Sequence, residues 1–131
     1  MITRINPEGA YPSRGYHHIV MAEGGKTVWF AGQVAYDKTR TLIGGQDVQL
    51  QTRAVLANIG HRLAAIDAKP EHVVRLTTYV VGYQCEHLAG IMEELNAFFG
   101  PENLPVNTLI GVSCLAAPEL LVEIEPIAVI G

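Results

Sequence analysis

The chain has 131 residues, of which 49% are apolar and 17% are charged, and its formal net charge is −4. This length fits one domain that buries about two thirds of its unfolded surface, so folding requires neither a metal nor a disulfide. The lysines and arginines are scattered rather than clustered, which argues against a nucleic-acid partner. We therefore expect a single domain over residues 1–131.

The chain carries no sign of export or of membrane insertion. Residues 1–7 lack an apolar signal region, and no stretch approaches the roughly 20 apolar residues of a membrane span. Cys85 and Cys114 are isolated, so we expect two reduced cysteines, at least one of them buried. These features predict a cytoplasmic protein with no membrane partner.

The first half of the chain predicts two strands and a helix. The β-rich runs 16–22 and 27–35 flank Glu23-Gly24-Gly25-Lys26, which is typical of a hairpin turn. After a polar passage over 36–46, apolar residues recur at helical spacing from Val48 to Ile66, with Asp47 as the predicted N-cap. Proline at position 70 predicts the end of this helix before it.

The second half predicts three strands and a second helix. The helix carries apolar residues from Leu88 to Phe99, stops at Gly100-Pro101, and places Glu86, Glu93 and Glu94 on its opposite face. The predicted strands cover 73–81, 107–113 and 120–130.

The order β-β-α-β-α-β-β predicts an α/β (α+β) domain with two helices on one face of a mixed sheet. No third helix is available for the other face of the sheet. Packing of copies of the chain around a symmetry axis would cover that face.

Two features of the sequence suggest chemistry. Glu123 and Glu125 lie two apart in the last strand and share a face, where burial would raise a carboxylate pKa towards the range useful for positioning water. The alternative is an acid bonded to backbone amides or paired with Arg75. His17 and His18 are adjacent in a predicted strand and cannot ligate one metal together, but His18 could face a pocket, with solvent or interface packing as the alternative.

No phosphate loop, metalloprotease, nucleophile-elbow or paired-cysteine motif occurs, so we expect an enzyme here to use no cofactor and no metal. Several longer stretches nevertheless resemble the reactive-intermediate deaminase (RidA/YjgF) family, also described as endoribonuclease L-PSP-like. The resemblance begins near Tyr16 and covers nearly all of the remaining chain. Its segments are Ala31-Gly32-Gln33-Val34, 51–59, 73–80, Asn96-Ala97-Phe98-Phe99 and 122–128.

The resemblance implies a chorismate-mutase-like fold of six mixed strands and two helices, assembled as a homotrimer with small-molecule clefts between subunits. Members of the core subfamily hydrolyse enamines or imines to a keto acid and ammonia without a cofactor. Glu123 matches the acid that orients water, and Tyr16, Gly32 and Gln33 match other positions of the cleft.

One position departs from the family pattern. The stretch Pro105-Val106-Asn107 places Asn107 where the core subfamily has an arginine that holds the substrate carboxylate. The pocket should then favour a neutral or amide-like group. Leu109 stands where cysteine is frequent and Met92 where asparagine is frequent, and Arg14 is a candidate substitute for the missing arginine, with a solvated loop arginine as the alternative.

Two classes of function remain open from the sequence. The first is a deaminase or related hydrolase with an altered substrate range, in which Glu123 and Tyr16 act on a substrate held by Asn107. The second is a non-catalytic trimer that binds a metabolite or regulates a partner. An endoribonuclease ranks third because the chain is acidic.

Overall fold

The computed structural model describes all residues from 1 to 131 and contains six strands and two α-helices, besides single 3-10 turns at Pro70–His72 and Pro101–Asn103. The predicted class, an α/β domain with two helices packed on a mixed six-stranded sheet, is confirmed. The elements are β1 (Ile2–Ile5), β2 (Ile19–Ala22), β3 (Lys26–Trp29), α1 (Val48–Ala65), β4 (Val73–Val81), α2 (His87–Phe99), β5 (Val106–Val112) and β6 (Val122–Ile130).

Both helices follow the local signals of the sequence. The side chain of Asp47 accepts a hydrogen bond from the backbone N–H of Leu50 at 2.9 Å, which satisfies one of the free donors at the start of α1. Gly100 follows α2 with a φ of 78°, in the left-handed region that glycine adopts without strain. The predicted cap and both helix ends are confirmed to within one residue.

Hydrogen bonds divide the strands into the pair β1-β2 and a four-stranded ladder in the order β3-β6-β4-β5. The pairs β3-β6 and β6-β4 are antiparallel, and β4-β5 is parallel. The predicted hairpin between the first two runs is wrong, because β2 pairs with β1 and β3 pairs with β6. The second run is a strand only as far as Trp29, and Gln33 regains sheet contact through an isolated bridge to Ile124.

Alternation along β4 and β6 sets the two faces of the ladder. Leu76 and Val80 of β4 and Val122 and Ile124 of β6 are fully buried in one core with both helices. Their neighbours in sequence point the other way. We call this second side the outer sheet face; it carries Trp29, Thr77, Tyr79, Ile110, Glu123, Glu125 and Ile127.

The outer sheet face has no helical layer over it. Trp29 is 75% exposed there and Ile110 is 40% exposed. Large apolar side chains on a bare face are unfavourable in water, so this face is suited to contact with another protein surface. No helix has the length and apolarity needed to cross a membrane.

A buried glutamine ties α1 to two loops. Gln51 donates from Nε2 to the carbonyl oxygens of Gly45 and Glu119, at 2.7 and 3.0 Å, and its Oε1 accepts from the backbone N–H of Leu121 at 2.9 Å. All three contacts are made by a side chain with no exposed surface. Gln51 therefore fixes the entry into β6 against the first turns of α1.

Candidate functional site

A cavity of about 450 Å³ lies between the N-terminal loop, α2 and β5. It contains four of the residues predicted for the site, which are Arg14, Tyr16, Asn107 and Leu109. The remaining lining residues are Tyr11, Pro12, Leu88, Ile91, Met92 and Leu95. We call this cavity the tyrosine pocket.

Strand register explains why Asn107 and Leu109 share this pocket. In the parallel pair, Asn107 stands opposite Leu76 and Leu109 stands opposite Thr78. Leu76 and Thr78 are both fully buried on the helical side of the sheet. Asn107 and Leu109 therefore point to that side, where α2 supplies the apolar floor of the pocket.

The side chain of Asn107 is held from within the sheet. Thr78 Oγ1 donates to Asn107 Oδ1 at 2.9 Å. Because Thr78 has no exposed surface, this hydrogen bond is shielded from water on the side of β4.

The N-terminal loop forms the second wall of the pocket. Gly15, with a φ of 80°, comes so close to α2 that a Cβ there would lie 3.1 Å from Met92 Cγ. The ring of His18 packs edge-on against Tyr11 and Tyr16, with centroids 4.7 and 5.3 Å apart. His18 thus supports the two tyrosines without lining the pocket itself.

The placement of the two histidines differs from the prediction, because both precede β2 and lie in irregular backbone. His18 Nε2 lies 2.7 Å from the carbonyl oxygen of Tyr11, and His17 Nδ1 lies 2.7 Å from that of Leu104. Each ring is bonded to a loop carbonyl.

The neighbouring hydroxyl of Tyr11 raises the pKa of Tyr16, and partial loss of solvent raises it further.

The other three predicted residues form a second group, away from the tyrosine pocket. Gln33 exchanges two backbone hydrogen bonds with Ile124, of 2.8 and 3.0 Å, which brings the segment after β3 alongside β6. Gly32 then lies directly against Glu123, and a Cβ on Gly32 would overlap its carboxylate. We call Gly32, Gln33 and Glu123 the acid group.

The surroundings of Glu123 in the single chain disfavour the ionised form of its carboxylate. Burial raises its pKa, and repulsion from Glu125 raises it further. Arg75 does not relieve it, because Arg75 bonds Thr108 Oγ1 at 3.3 Å and the only ion pair joins Arg53 to Glu94. No hydrogen bond reaches the Glu123 carboxylate within the chain, so neither Arg75 nor a backbone amide is its partner in the single chain.

The tyrosine pocket and the Glu123 carboxylate lie on opposite sides of the same sheet. Asn107 points to the helical side, whereas Glu123 lies on the outer sheet face between the buried Val122 and Ile124. The lining of the tyrosine pocket contains neither a carboxylate nor an imidazole. One chain cannot place Glu123 and Asn107 on the same ligand.

A larger groove, of about 710 Å³, runs along the solvent side of α1 and contains none of the predicted site residues. Its cationic residues are Lys38, Arg53 and Arg62, of which Arg53 is already engaged by Glu94. We rank the smaller tyrosine pocket first, because it gathers four predicted residues around an apolar floor. No three histidine, cysteine, aspartate or glutamate side chains come together as metal ligands anywhere in the chain.

Sequence reasoning missed several features around the site. Glu94, predicted on the open face of α2, is buried and accepts two hydrogen bonds from Arg53, of 2.9 and 3.0 Å. The sequence did not identify Tyr11 as a pocket residue, because a tyrosine in an irregular loop fits no periodic pattern. Both cysteines are exposed, so the expectation that at least one is buried is wrong.

Fold and pocket together define a small α/β domain with a ligand-sized cavity between an edge strand and a helix. Comparison with known proteins gives the family. The family model described as Endoribonuclease L-PSP matches residues 5–130. A RutC family protein of Pyrococcus horikoshii is 34% identical over 107 residues, 81% of each chain.

Solved structures agree with that assignment. A Rid family protein of unknown function from Yersinia pestis superposes with a TM-score of 0.95 at 44% identity, over 98% of each chain. Escherichia coli TdcF, solved with bound serine, gives 0.70 at 25% identity, over 84% of this chain and 85% of that chain. The chain belongs to the Endoribonuclease L-PSP family, the RidA/YjgF proteins.

Proposed function

We propose that this protein is a homotrimer whose inter-subunit pockets hydrolyse an enamine, an imine or a related C–N bond without a cofactor. The observation that carries the proposal is the division of the site. The tyrosine pocket has the size and lining of a binding site but lacks an acid, and Glu123 lies on a sheet face that a second copy could approach. A site assembled from two copies would contain both halves.

The uncovered sheet face supports self-association. Trp29 and Ile110 are exposed there, and β5, which carries Asn107, is an edge strand. Closed symmetric packing would cover the apolar side chains of every copy in an equivalent way. It would also bring the edge of one sheet towards the outer face of the next, and the family resemblance implies three copies.

The raised pKa of Glu123 makes its carboxylate a stronger base than an ordinary glutamate, which suits it to taking a proton from water. In the proposed reaction, water attacks the carbon of the C=N bond, while the Glu123 carboxylate takes a proton from that water. The same proton is then delivered to nitrogen. The C–N bond of the resulting aminoalcohol then breaks as the proton of its hydroxyl passes to nitrogen, so that ammonia leaves and a C=O group remains.

Asn107, Tyr16 and Arg14 would orient the substrate by hydrogen bonds. An amide at position 107 carries no charge, so it binds a carboxylate more weakly than the guanidinium of the core subfamily does. We therefore propose a substrate range shifted away from small 2-imino acids. The serine bound to TdcF shows that one solved neighbour of the fold holds a small molecule.

The direct test follows product release from freshly generated 2-aminoacrylate and from imines without a carboxylate. We expect the purified protein to accelerate at least one imine without a carboxylate above the buffer control, and Glu123→Gln to lose about 100-fold of that activity. Asn107→Arg should raise activity on 2-aminoacrylate. The proposal fails if no compound reacts faster than in buffer, or if Glu123→Gln matches the wild type.

A non-catalytic binding module is the second candidate, favoured by the absence of any acid or imidazole from the tyrosine pocket of one chain. In that case ligand binding would persist while Glu123→Gln and Gly32→Ala changed no turnover. We do not propose ribonuclease activity, because the pocket has one arginine and the chain carries a net charge of −4.

A further inference from the structure

We propose that Thr78 is a positioning residue that fixes the Asn107 amide with its N–H groups towards the tyrosine pocket, so that the pocket selects a ligand carbonyl oxygen. The preferred ligands would be small apolar molecules ending in an amide, a ketone or another neutral acyl group. This inference rests on the tyrosine pocket being the binding part of the proposed site.

The hydrogen bond between Thr78 and Asn107 sets the direction of the amide. A threonine hydroxyl can donate or accept, and a side-chain amide has one acceptor oxygen and one donor nitrogen. Thr78 is fully buried, and its hydroxyl makes its only side-chain hydrogen bond, of 2.9 Å, with Asn107. If the amide were turned over, its nitrogen would donate to the hydroxyl, and the hydroxyl proton would be buried without an acceptor, which is unfavourable.

In the favoured orientation the acceptor of Asn107 is used inside the sheet. Asn107 Oδ1 accepts from Thr78, and no group of the chain accepts a hydrogen bond from Asn107 Nδ2. Asn107 lines the pocket, so its two N–H donors are available to a ligand there. A ligand oxygen can meet them, whereas an ammonium or amine donor cannot.

The other polar groups of the pocket can also donate hydrogen bonds to a ligand oxygen. Arg14 contributes a guanidinium, and Tyr11 and Tyr16 contribute hydroxyls that can also donate. Within one chain none of the lining residues carries a carboxylate, and the Glu123 carboxylate of the proposed assembly would come from the second copy. The floor from α2, made of Leu88, Ile91, Met92 and Leu95, is apolar and suits an alkyl or aryl body.

The experiment compares two probes with the same benzyl group, phenylacetamide and 2-phenylethylamine. Binding is measured by calorimetry and by the side-chain amide signals of protein labelled with ¹⁵N-asparagine, of which there are five. We expect phenylacetamide to shift the Asn107 signal and to bind at least about tenfold more tightly than the amine, the equivalent of one hydrogen bond.

Variants separate positioning from packing. Thr78→Val keeps the shape of the side chain but removes the hydroxyl. It should weaken the binding of phenylacetamide about tenfold, and it should broaden or move the Asn107 signal in the free protein. Thr78→Ser, which keeps the hydroxyl, should restore both. The matched control is Thr77→Val, one residue away on the outer sheet face. Asn107→Asp, an acceptor only, should reverse the preference between the two probes.

Equal binding of the two probes by the wild type would overturn the inference, and so would a Thr78→Val protein indistinguishable from Thr77→Val. These outcomes differ from a failure of the proposed function. If the amide preference holds but no imine is hydrolysed, the inference stands without the enzyme. If hydrolysis is found and Thr78→Val leaves its KM unchanged, the enzyme stands without the inference.

Discussion

At the scale of single residues, Glu123 is the side chain whose surroundings fit a structural role least well. It lies on a strand between two buried residues, without a hydrogen bond, and beside a second carboxylate. A carboxylate kept in such surroundings reduces the stability of the fold. Functional sites commonly retain side chains that reduce the stability of the fold in this way.

We expect Glu123→Gln to stabilise the protein at neutral pH. Because the folded state raises the pKa of Glu123 above its usual 4.5, the ionised carboxylate is disfavoured by folding, and stability is lost as pH rises through the folded pKa. At pH 7 the free energy of unfolding of the neutral variant should be about 0.5 kcal/mol larger than that of the wild type. The difference is small because solvent screens the repulsion.

The measurement is denaturant unfolding at fixed protein concentration across pH. The variant and the wild type should converge below a pH of about 4, where the glutamate is protonated. Glu8→Gln, in the exposed N-terminal loop, controls for the general loss of one negative charge. A stability gain that persisted unchanged at low pH would contradict the electrostatic explanation.

At the scale of elements, α1 is held to the rest of the domain by polar contacts as well as by its apolar face. Gln51 bonds two loop carbonyls and one strand N–H from a fully buried position. Periodicity alone would place an apolar residue there, because the position faces the core. The glutamine supplies hydrogen-bond partners for backbone groups of the two loops and of the residue before β6.

Gln51→Leu should therefore destabilise the domain by about 2 kcal/mol, since it leaves the N–H of Leu121 and the carbonyl of Gly45 without partners in the chain, and the carbonyl of Glu119 with only a longer bond from Gln46. Gln46→Leu is the matched control, because Gln46 is exposed and reaches the same Glu119 carbonyl at only 3.3 Å. That change should cost less than about 0.5 kcal/mol. Equal effects of the two substitutions in thermal unfolding would refute the special role of Gln51.

At the scale of the whole molecule, the proposed assembly depends on the outer sheet face. We expect the wild type to have a mass of about 43 kDa in solution, three times the 14.2 kDa of one chain. Ile110→Asp places a charge on that face and should shift the mass towards one chain, because burying an unpaired carboxylate is unfavourable.

Light scattering after size-exclusion chromatography measures both masses. Leu50→Asp is a close control, since Leu50 on α1 is 41% exposed and Ile110 is 40% exposed, but Leu50 lies beside the groove outside the sheet. It should leave the mass unchanged. A wild-type monomer, or equal dissociation by both substitutions, would contradict assembly through the sheet.

Much of the fold was available from the sequence. Helices α1 and α2 and strands β4, β5 and β6 were predicted to within two residues, because burial on one face imposes a period that survives in sequence. β1 was missed because four residues carry too little pattern. The hairpin was wrong because a Gly-Gly turn reports a local reversal of the chain, while the partner of each strand depends on distant residues.

For the candidate site, too, the sequence predicted some features and the tertiary structure decided the others. The sequence determined the fold class, the family resemblance and the residue types at positions 16, 107 and 123, since these depend on local pattern and residue identity. Only the tertiary structure decided that Glu123 and Asn107 lie on opposite sides of the sheet and that Thr78 engages the Asn107 oxygen. The physical reason is that strand pairing and side-chain hydrogen bonds join residues distant in the chain, and no spacing in the sequence encodes those contacts.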